Sequence, residues 1–457
     1  MTGAPRLSRA ALPHPEPVPP VRIVHLGLGA FHRSHQAWYT AHADDAAGWG
    51  IAAFTGRRPG AAEVLRAQQG VYTLVERGGD GDRFELIGSI VAAHPGDEVD
   101  ALLRTFRSPE VALVTLTITE AGYRLGPDGE LDLGDTETLA DIALLRDTVT
   151  GTSGGAPRAG AALAAPATAL GRLLLGLCAR REAGAPPVAI VPCDNLPENG
   201  RVLERALTRM ATEVQPDLAA WLPRGASFVS TSVDRITPRL DPDDRPAIAA
   251  ATGWDDATPV VAEPFADWVL SGDFPSGRPR WESAGARFVD DIAPWEARKL
   301  WMLNGAHTLL AAAGPARGHV TVAEAFADPG LRAAVDRIWD EAAAQLETVE
   351  TVDYRRALAD RFANPRIVHR LAQIAEGSRT KVRLRIVPVA LAERSAARPA
   401  AGCAAAIAAW IAAEAPDADP RDALRELSPE LAADERFVRT LRGALAASAP
   451  SGPTQEA

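Results

Sequence analysis

Apolar residues Val21, Ile23, Val24 and Leu26 run up to Gly27-Leu28-Gly29 and stop there. A run rich in β-branched residues, closed by glycines, predicts a strand, a tight turn and a following helix, the opening of a βαβ unit. The helix is expected over residues 35–42 and a second strand over 49–54. Further strand-like runs fall at 71–75, 111–116 and 188–191, with helical stretches between several of them. That alternation predicts a mainly parallel, doubly wound sheet. Residues 151–166, rich in Gly, Ala, Pro and Ser, read as a surface loop ahead of a helix at 169–182. The acidic, Pro-punctuated stretch 241–256 reads as another loop. From about residue 294 Ala/Leu/Arg helical periodicity takes over, as at 331–352, and 382–387 is the one late strand-like run.

Composition narrows the class. The chain has 457 residues, 47% of them hydrophobic, enough for two or three domains with real cores. A net charge of −11 argues against a nucleic-acid binder with a broad basic face. No apolar run reaches the roughly 18–20 residues of a membrane span. The Pro-rich N-terminus lacks the apolar core of a secretory signal, so a cytoplasmic protein is expected. Cys178, Cys193 and Cys403 are too few and too scattered for a disulfide framework or a zinc cage. No HExxH pattern or Cys/His pairing signals a metal, and no GxSxG signals a serine hydrolase. Of the 48 basic residues, all but Lys299 and Lys381 are Arg. Where a positive charge suffices this chain uses Arg, so a retained Lys points to what Arg cannot do, which is to release a proton near neutral pH.

Gly27-Leu28-Gly29-Ala30-Phe31-His32 carries the first two glycines of a dinucleotide-binding turn, with His32 where the third would stand. The first glycine allows the tight turn and the second lets backbone approach a pyrophosphate. Gly27, Gly29, Ala30 and Phe31 are therefore the candidate cofactor residues. The second strand ends Thr55-Gly56-Arg57-Arg58, without the acid that usually bonds the adenosine ribose. Arg57 and Arg58 could take a 2′-phosphate or stack on adenine, which leaves NAD against NADP open. The fold class expected is α/β: a flexible leader over 1–20, a Rossmann-type dinucleotide-binding domain over 21–290, and a mostly helical substrate and catalytic domain over 291–457.

The segment Arg298-Lys299-Leu300-Trp301-Met302-Leu303-Asn304-Gly305-Ala306-His307 reads as a mostly buried helix. Asn304 and His307 lie one turn apart on one face. Lys299 precedes His307 by eight residues, about 80° away around a regular helix. Asn and Gly inside a helix each cost roughly 0.5–1 kcal/mol against Ala, so their presence in an Ala-rich chain suggests another use. Two more polar clusters end apolar runs: Pro192-Cys193-Asp194-Asn195, at the carboxyl edge of a strand, and Ser232-Val233-Asp234-Arg235.

Taken together, HLGLGAFHRSHQAWY, WGIAAF, QQGVYTLVER, TLTITEAGY, CDNLPENG, SVDRITP, EPFADWVLSGDFPSGRP and KLWMLNGAH resemble the mannitol dehydrogenase family of long-chain, metal-independent polyol dehydrogenases, from about residue 21 to 390. The resemblance implies an oxidoreductase that moves hydride between NAD and a polyol or aldonate. D-mannitol/D-fructose and D-mannonate/D-fructuronate are the pairs it suggests. By position it implies Lys299 as general base, Asn195 and Asn304 as the pair that hydrogen-bonds the developing alkoxide, and His307 as a substrate-orienting residue. Asp234 and Lys381 would hold substrate hydroxyls or a carboxylate end. The chemistry is consistent: hydride transfer from an alcohol needs a base near neutrality and donors for the oxyanion.

The partners expected are thus a small polyol, ketose or sugar acid, with no nucleic acid and no membrane, and an oligomeric state left open. Two alternatives stand beside this one. A sugar-phosphate oxidoreductase of the mannitol-1-phosphate type would need a phosphate cluster, for which Arg235, Arg379, Arg383 and Arg385 are available. A non-catalytic nucleotide sensor would be expected to have lost part of the constellation that this chain keeps.

Overall fold

The computed structural model describes residues 3–13, 17–150 and 164–448. The chain divides into two compact units, one of residues up to 292 apart from 78–80, the other of 78–80 and 293 onward.

In the first unit six strands form an all-parallel sheet: β1 (Val21–Leu26), β2 (Gly50–Phe54), β5 (Ile90–His94), β6 (Leu113–Leu116), β7 (Val188–Pro192) and β8 (Ala226–Phe228), in the order β5-β2-β1-β6-β7-β8. Successive side chains along a strand point to opposite faces, and both faces here are covered, which is why these strands read as continuous apolar runs. Val24, Leu26, Phe54, Val114 and Ile190 pack under the helices Val99–Arg107, Ala169–Glu182 and Asn199–Val214. Ile23, Ile51, Ala53, Leu113 and Val191 face the other way, toward Tyr39 of the helix Gln36–His42 and toward Trp268 and Trp281. The strand order reverses direction between β1 and β6, and at such a switch point the loops at the carboxyl ends part to leave a crevice.

Two small sheets flank this one. β3 (Tyr72–Gly78), β4 (Gly81–Ile87) and β10 (Val260–Ala262) make one, in the order β10-β3-β4. β9 (Ser230–Asp234), β11 (Asp267–Ser271) and β12 (Arg287–Phe288) make the other. The strand expected at 71–75 therefore exists but pairs with β10, outside the six-stranded sheet.

Two sequence expectations in this unit need correction. Within the leader expected to be flexible, Leu7 is buried, its N–H donates to the Asp255 carbonyl (3.0 Å), and the Arg9 guanidinium donates to the Ile90 carbonyl (3.1 Å). The stretch 241–256 holds a helix, Arg245–Thr252, behind a turn at Pro242–Asp244 that the Asp241 carboxylate caps. Proline tolerates first-turn positions because its missing N–H would have no helical partner there, so the prolines that suggested a loop mark helix starts instead. Of the loop expected at 151–166, residues 151–163 lie outside those described.

The second unit is helical. A continuous run covers Ala293–Arg298, Lys299–Leu303 and Asn304–Ala313, and the helices after it include Pro329–Ala343, Val352–Phe362, Ser378–Arg385, Val387–Ser395, Ala401–Glu414 and Glu435–Ser448. The helix Ala401–Glu414 is apolar on every side, as a helix enclosed by others must be. It packs against Asn304–Ala313, Pro329–Ala343 and Glu435–Ser448. The Glu341 carboxylate takes the free N–H groups of Gly402 and Cys403 at its start (2.7 and 2.8 Å). The strand expected at 382–387 is helical instead. Its buried apolar residues recur every fourth position, at Val382, Ile386 and Ala390, while Leu384 is 55% exposed.

Candidate active site

The carboxyl end of β1 is shaped by Gly27. Its φ is +106°, and a Cβ there would stand 2.1 Å from the Thr117 carbonyl oxygen, so only glycine makes this turn. The N–H groups of Gly27 and Leu28 both donate to the Phe54 carbonyl (2.9 Å each), tying the turn to the end of β2. A Cβ at Gly29 would meet only the Gly27 oxygen, at 3.6 Å, so the backbone is bare on that side. A cavity of about 490 Å³ opens at this switch point, lined by Gly27, Leu28, Arg57, Thr117, Arg124 and Arg172 among others. A second, of about 290 Å³, shares Gly56, Arg57 and Arg172 and adds Gly96, Asp97 and Glu137.

The donor set fits a dinucleotide: a glycine turn that lets backbone approach, and three guanidinium groups in the cavity wall, two of which, Arg57 and Arg124, are paired with Glu137. Arg172 is the most buried of the three, and burial pulls its pKa down. Its guanidinium reaches toward the Gly56 and Gly96 carbonyls at 3.4 and 3.5 Å. Of the residues expected to hold the cofactor, Gly27 and Arg57 line the cavities. Ala30 is exposed at the start of a short helix, Phe31 stacks on His35 (5.0 Å between rings), and Arg58 is exposed. Arg124, Glu137 and Arg172 were missed, because they reach the cavities from sequence-distant helices and turns.

His32, in place of the third glycine, is buried and stacks on His25 at 3.3 Å between ring centroids. His25 in turn bonds the hydroxyls of Thr115 (2.8 Å) and Thr117 (3.1 Å). Burial pushes His25 down to about 3 and lowers His32 as well, so both are neutral near pH 7 and pack as aromatic rings.

Asn195 is exposed just past β7. The turn that carries it is pinned from both sides. The Asp194 carboxylate accepts from the Thr119 N–H (2.7 Å) and the Tyr123 hydroxyl (3.1 Å). The Asn199 amide donates to the carbonyls of Asp194 (3.0 Å) and Thr231 (2.9 Å). Burial raises the Asp194 pKa to about 6, against the hydrogen bonds that favour its charge. Asp234 ends β9, buried, directly across the ladder from Asp267. Its neighbour Arg235 is engaged elsewhere: it pairs with Glu76 (2.5 Å) and donates to the carbonyls of Ser34 (2.6 Å) and Glu263 (3.0 Å).

In the second unit, residues Lys299–Leu303 form a π-helical turn between two α-helical segments, and the Asn304 N–H donates to the Lys299 carbonyl. Such a turn accommodates one extra residue, so the eight steps from Lys299 to His307 count as seven. At 100° per residue the offset falls from about 80° to about 20°, which sets Lys299, Asn304 and His307 along one stripe. The Trp339 indole N–H donates to the Met302 carbonyl within the turn (3.0 Å). His307 is buried against Phe362 (4.7 Å between rings) and His369 (4.9 Å). Burial first, then the charges of His369, Arg361 and Arg385, holds His307 well below the ordinary histidine range and therefore neutral. Lys381 sits elsewhere in this unit. Its ammonium donates to the Ile374 carbonyl (2.8 Å) and borders a cavity of about 30 Å³ beside Thr308 and Trp410, room for a water rather than a sugar. Burial lowers its pKa.

Among the described residues no group of three or more His, Cys, Asp or Glu side chains could hold a metal ion, and no helix is long and apolar enough to cross a membrane.

Comparison with known proteins matches residues 21–283 to the mannitol dehydrogenase Rossmann domain and residues 291–425 to the mannitol dehydrogenase C-terminal domain. D-mannonate oxidoreductase of Escherichia coli (strain K12) is 37% identical over 383 residues, 81% of this chain and 75% of that protein. Among solved structures, D-sorbitol dehydrogenase in substrate-free form superposes with a TM-score of 0.82 at 26% identity, covering 98% of this chain and 97% of that one. Pseudomonas fluorescens mannitol 2-dehydrogenase, in a ternary complex with NAD and D-mannitol, superposes with a TM-score of 0.71 at 30% identity, covering 97% and 93%.

Proposed function

Because the chain belongs to the mannitol dehydrogenase family, we propose that it moves hydride between NAD and a polyol or aldonate, in the D-mannitol/D-fructose or D-mannonate/D-fructuronate sense. The observation that carries this reading is the stripe formed by Lys299, Asn304 and His307 across the π-helical turn. Bound NAD would supply the hydride acceptor, held by the turn at Gly27 and the guanidinium group of Arg172.

Lys299 is the proposed base for the hydroxyl proton, a role that the chain's Arg bias leaves to very few positions. The amides of Asn195 and Asn304 are proposed to donate to the developing alkoxide, worth a few kcal/mol in a dry site. Neutral His307 can donate or accept a hydrogen bond and is proposed to orient the substrate. Asp234 is proposed to accept from substrate hydroxyls. Lys381, whose ammonium has donors beyond its bond to the Ile374 carbonyl, is proposed to hold substrate hydroxyls or a carboxylate end. Cytoplasmic residence belongs to the same proposal and is supported by three free, buried cysteines.

The sugar-phosphate reading loses two of its four arginines, because Arg235 is paired with Glu76 and Arg379 with Glu426 (2.9 Å), and keeps Arg383 and Arg385. The test is oxidation of NADH and NADPH by the purified protein with fructose, fructuronate, tagaturonate and fructose 6-phosphate in parallel. Turnover of a non-phosphorylated ketose or ketouronate supports the proposal and names the branch. Turnover of fructose 6-phosphate alone would overturn it. Cofactor binding without turnover of any of them would favour the sensor.

A further inference from the structure

The end of β2 poses a question that its own residues do not answer. In dinucleotide-binding sheets the adenosine ribose lies at the end of the second strand, where a carboxylate accepts from its hydroxyls. Here that strand runs into Thr55-Gly56-Arg57-Arg58. The cavity of about 290 Å³ at this point nevertheless has a carboxylate in its wall, that of Glu137 in the first turn of the helix Thr136–Thr150. One oxygen of Glu137 is bonded by both the Arg57 and the Arg124 guanidinium. Arg57, the first charged residue beyond β2, is thus already matched to an anion that the protein itself provides.

We propose that Glu137 stands in for the acid missing after β2 and sets a preference for NAD(H) over NADP(H). A carboxylate at the ribose accepts from a 2′-hydroxyl. The same carboxylate repels a 2′-phosphate, which must also compete with it for Arg57. Stability does not account for the Arg57–Glu137 contact: the Arg57 side chain is 67% exposed and Glu137 37%, and ion pairs that open to solvent contribute little to folding. Asp97 lines the same cavity and is the rival carboxylate. The inference rests on the reading of this cavity as a nicotinamide dinucleotide site.

The test is direct titration of NADH and NADPH, without a second substrate, into the wild-type protein and the Glu137→Gln, Asp97→Asn and Glu137→Gln/Arg57→Ala variants, by calorimetry or quenching of tryptophan fluorescence. Wild type is expected to bind NADH more tightly. Glu137→Gln should shift the NADPH/NADH affinity ratio toward NADPH by about tenfold or more, the scale of one lost charge contact. Adding Arg57→Ala should remove that gain, and Asp97→Asn should leave the ratio near that of wild type. An unchanged ratio in Glu137→Gln with NADH binding intact, a shift produced by Asp97→Asn instead, or a wild-type preference for NADPH would overturn the assignment. Binding of neither cofactor by wild type would overturn the dinucleotide reading itself, and the inference with it.

Discussion

The backbone N–H of Asn304 donates to the carbonyl of Lys299, five residues earlier, where a regular α-helix would bond residues four apart. This one wide turn brings Lys299, one of the chain's two lysines, into line with the asparagine and histidine that follow it. The Trp339 indole N–H donates to the Met302 carbonyl within this turn. Replacing Trp339 with Phe keeps most of the apolar volume and removes that donor. The expected cost is about 0.5–1.5 kcal/mol for the lost hydrogen bond, measured by urea unfolding. If the π-turn aligns the site, turnover should fall further than substrate affinity does.

Removing the Lys299 amine tests the base assignment. Lys299→Ala should lower turnover by roughly 10²–10⁴-fold, the range for a lost general base, and leave NADH titration measurable. Lys299→Arg should not restore turnover, because guanidinium holds its proton. Activity within a few-fold of wild type in either variant would end the assignment.

Asp194 gives a pH dependence of definite sign. Burial raises its pKa to about 6 from the ordinary 3.8, so between those values the folded chain keeps a proton that the unfolded chain has lost. Its contribution to stability therefore falls as pH rises from about 4 to about 6 and stays low above that. Asp194→Asn removes the titration; its amide oxygen can keep the bond from the Thr119 N–H, while its NH2 must donate to the Tyr123 oxygen instead. Relative to wild type, the variant should gain on the order of 2–3 kcal/mol between pH 4 and pH 7, read from denaturant midpoints at a series of pH values. A constant difference would show that Asp194 does not titrate in this window.

Gly305 lies between Asn304 and Ala306 on the same helix, yet a Cβ there would meet only ordinary contacts at 3.7 Å, with the Arg385 carbonyl, Ile338 and Ile386. Gly305→Ala should therefore stabilise the protein by up to about 1 kcal/mol through helix propensity. If turnover falls while thermal stability rises, this glycine serves motion near Asn304 and His307 rather than space.

Legibility in the sequence followed the range of the interactions. The turn at Gly27 was readable because strand, glycine and helix are consecutive in the chain, and four of the six sheet strands were readable from runs such as 111–116 and 188–191, while β5 and β8 were not. The strand at 71–75 was readable as a strand, but nothing local says which sheet Tyr72 and Leu74 join. Residues 382–386 alternate Val, Arg, Leu, Arg, Ile and so imitate a strand over five positions. Only the burial of Ala390 along with Val382 and Ile386 exposes the helical period. Lys299, Asn304 and His307 were legible as a set, but their alignment was not, because a π-turn has no composition of its own. Glu137 and Arg172 could not be found at all: their importance comes from a cavity wall that exists only after folding.

The enclosed helix Ala401–Glu414 has one more consequence. Its outer cover is Glu435–Ser448, where Phe437, Val438 and Leu441 are buried, and that helix lies beyond residue 425, where the matched family region ends. A chain trimmed at that edge would bare an apolar surface directly behind the segment that carries Asn304 and His307. Such a fragment would be prone to aggregate before any assay could read its chemistry.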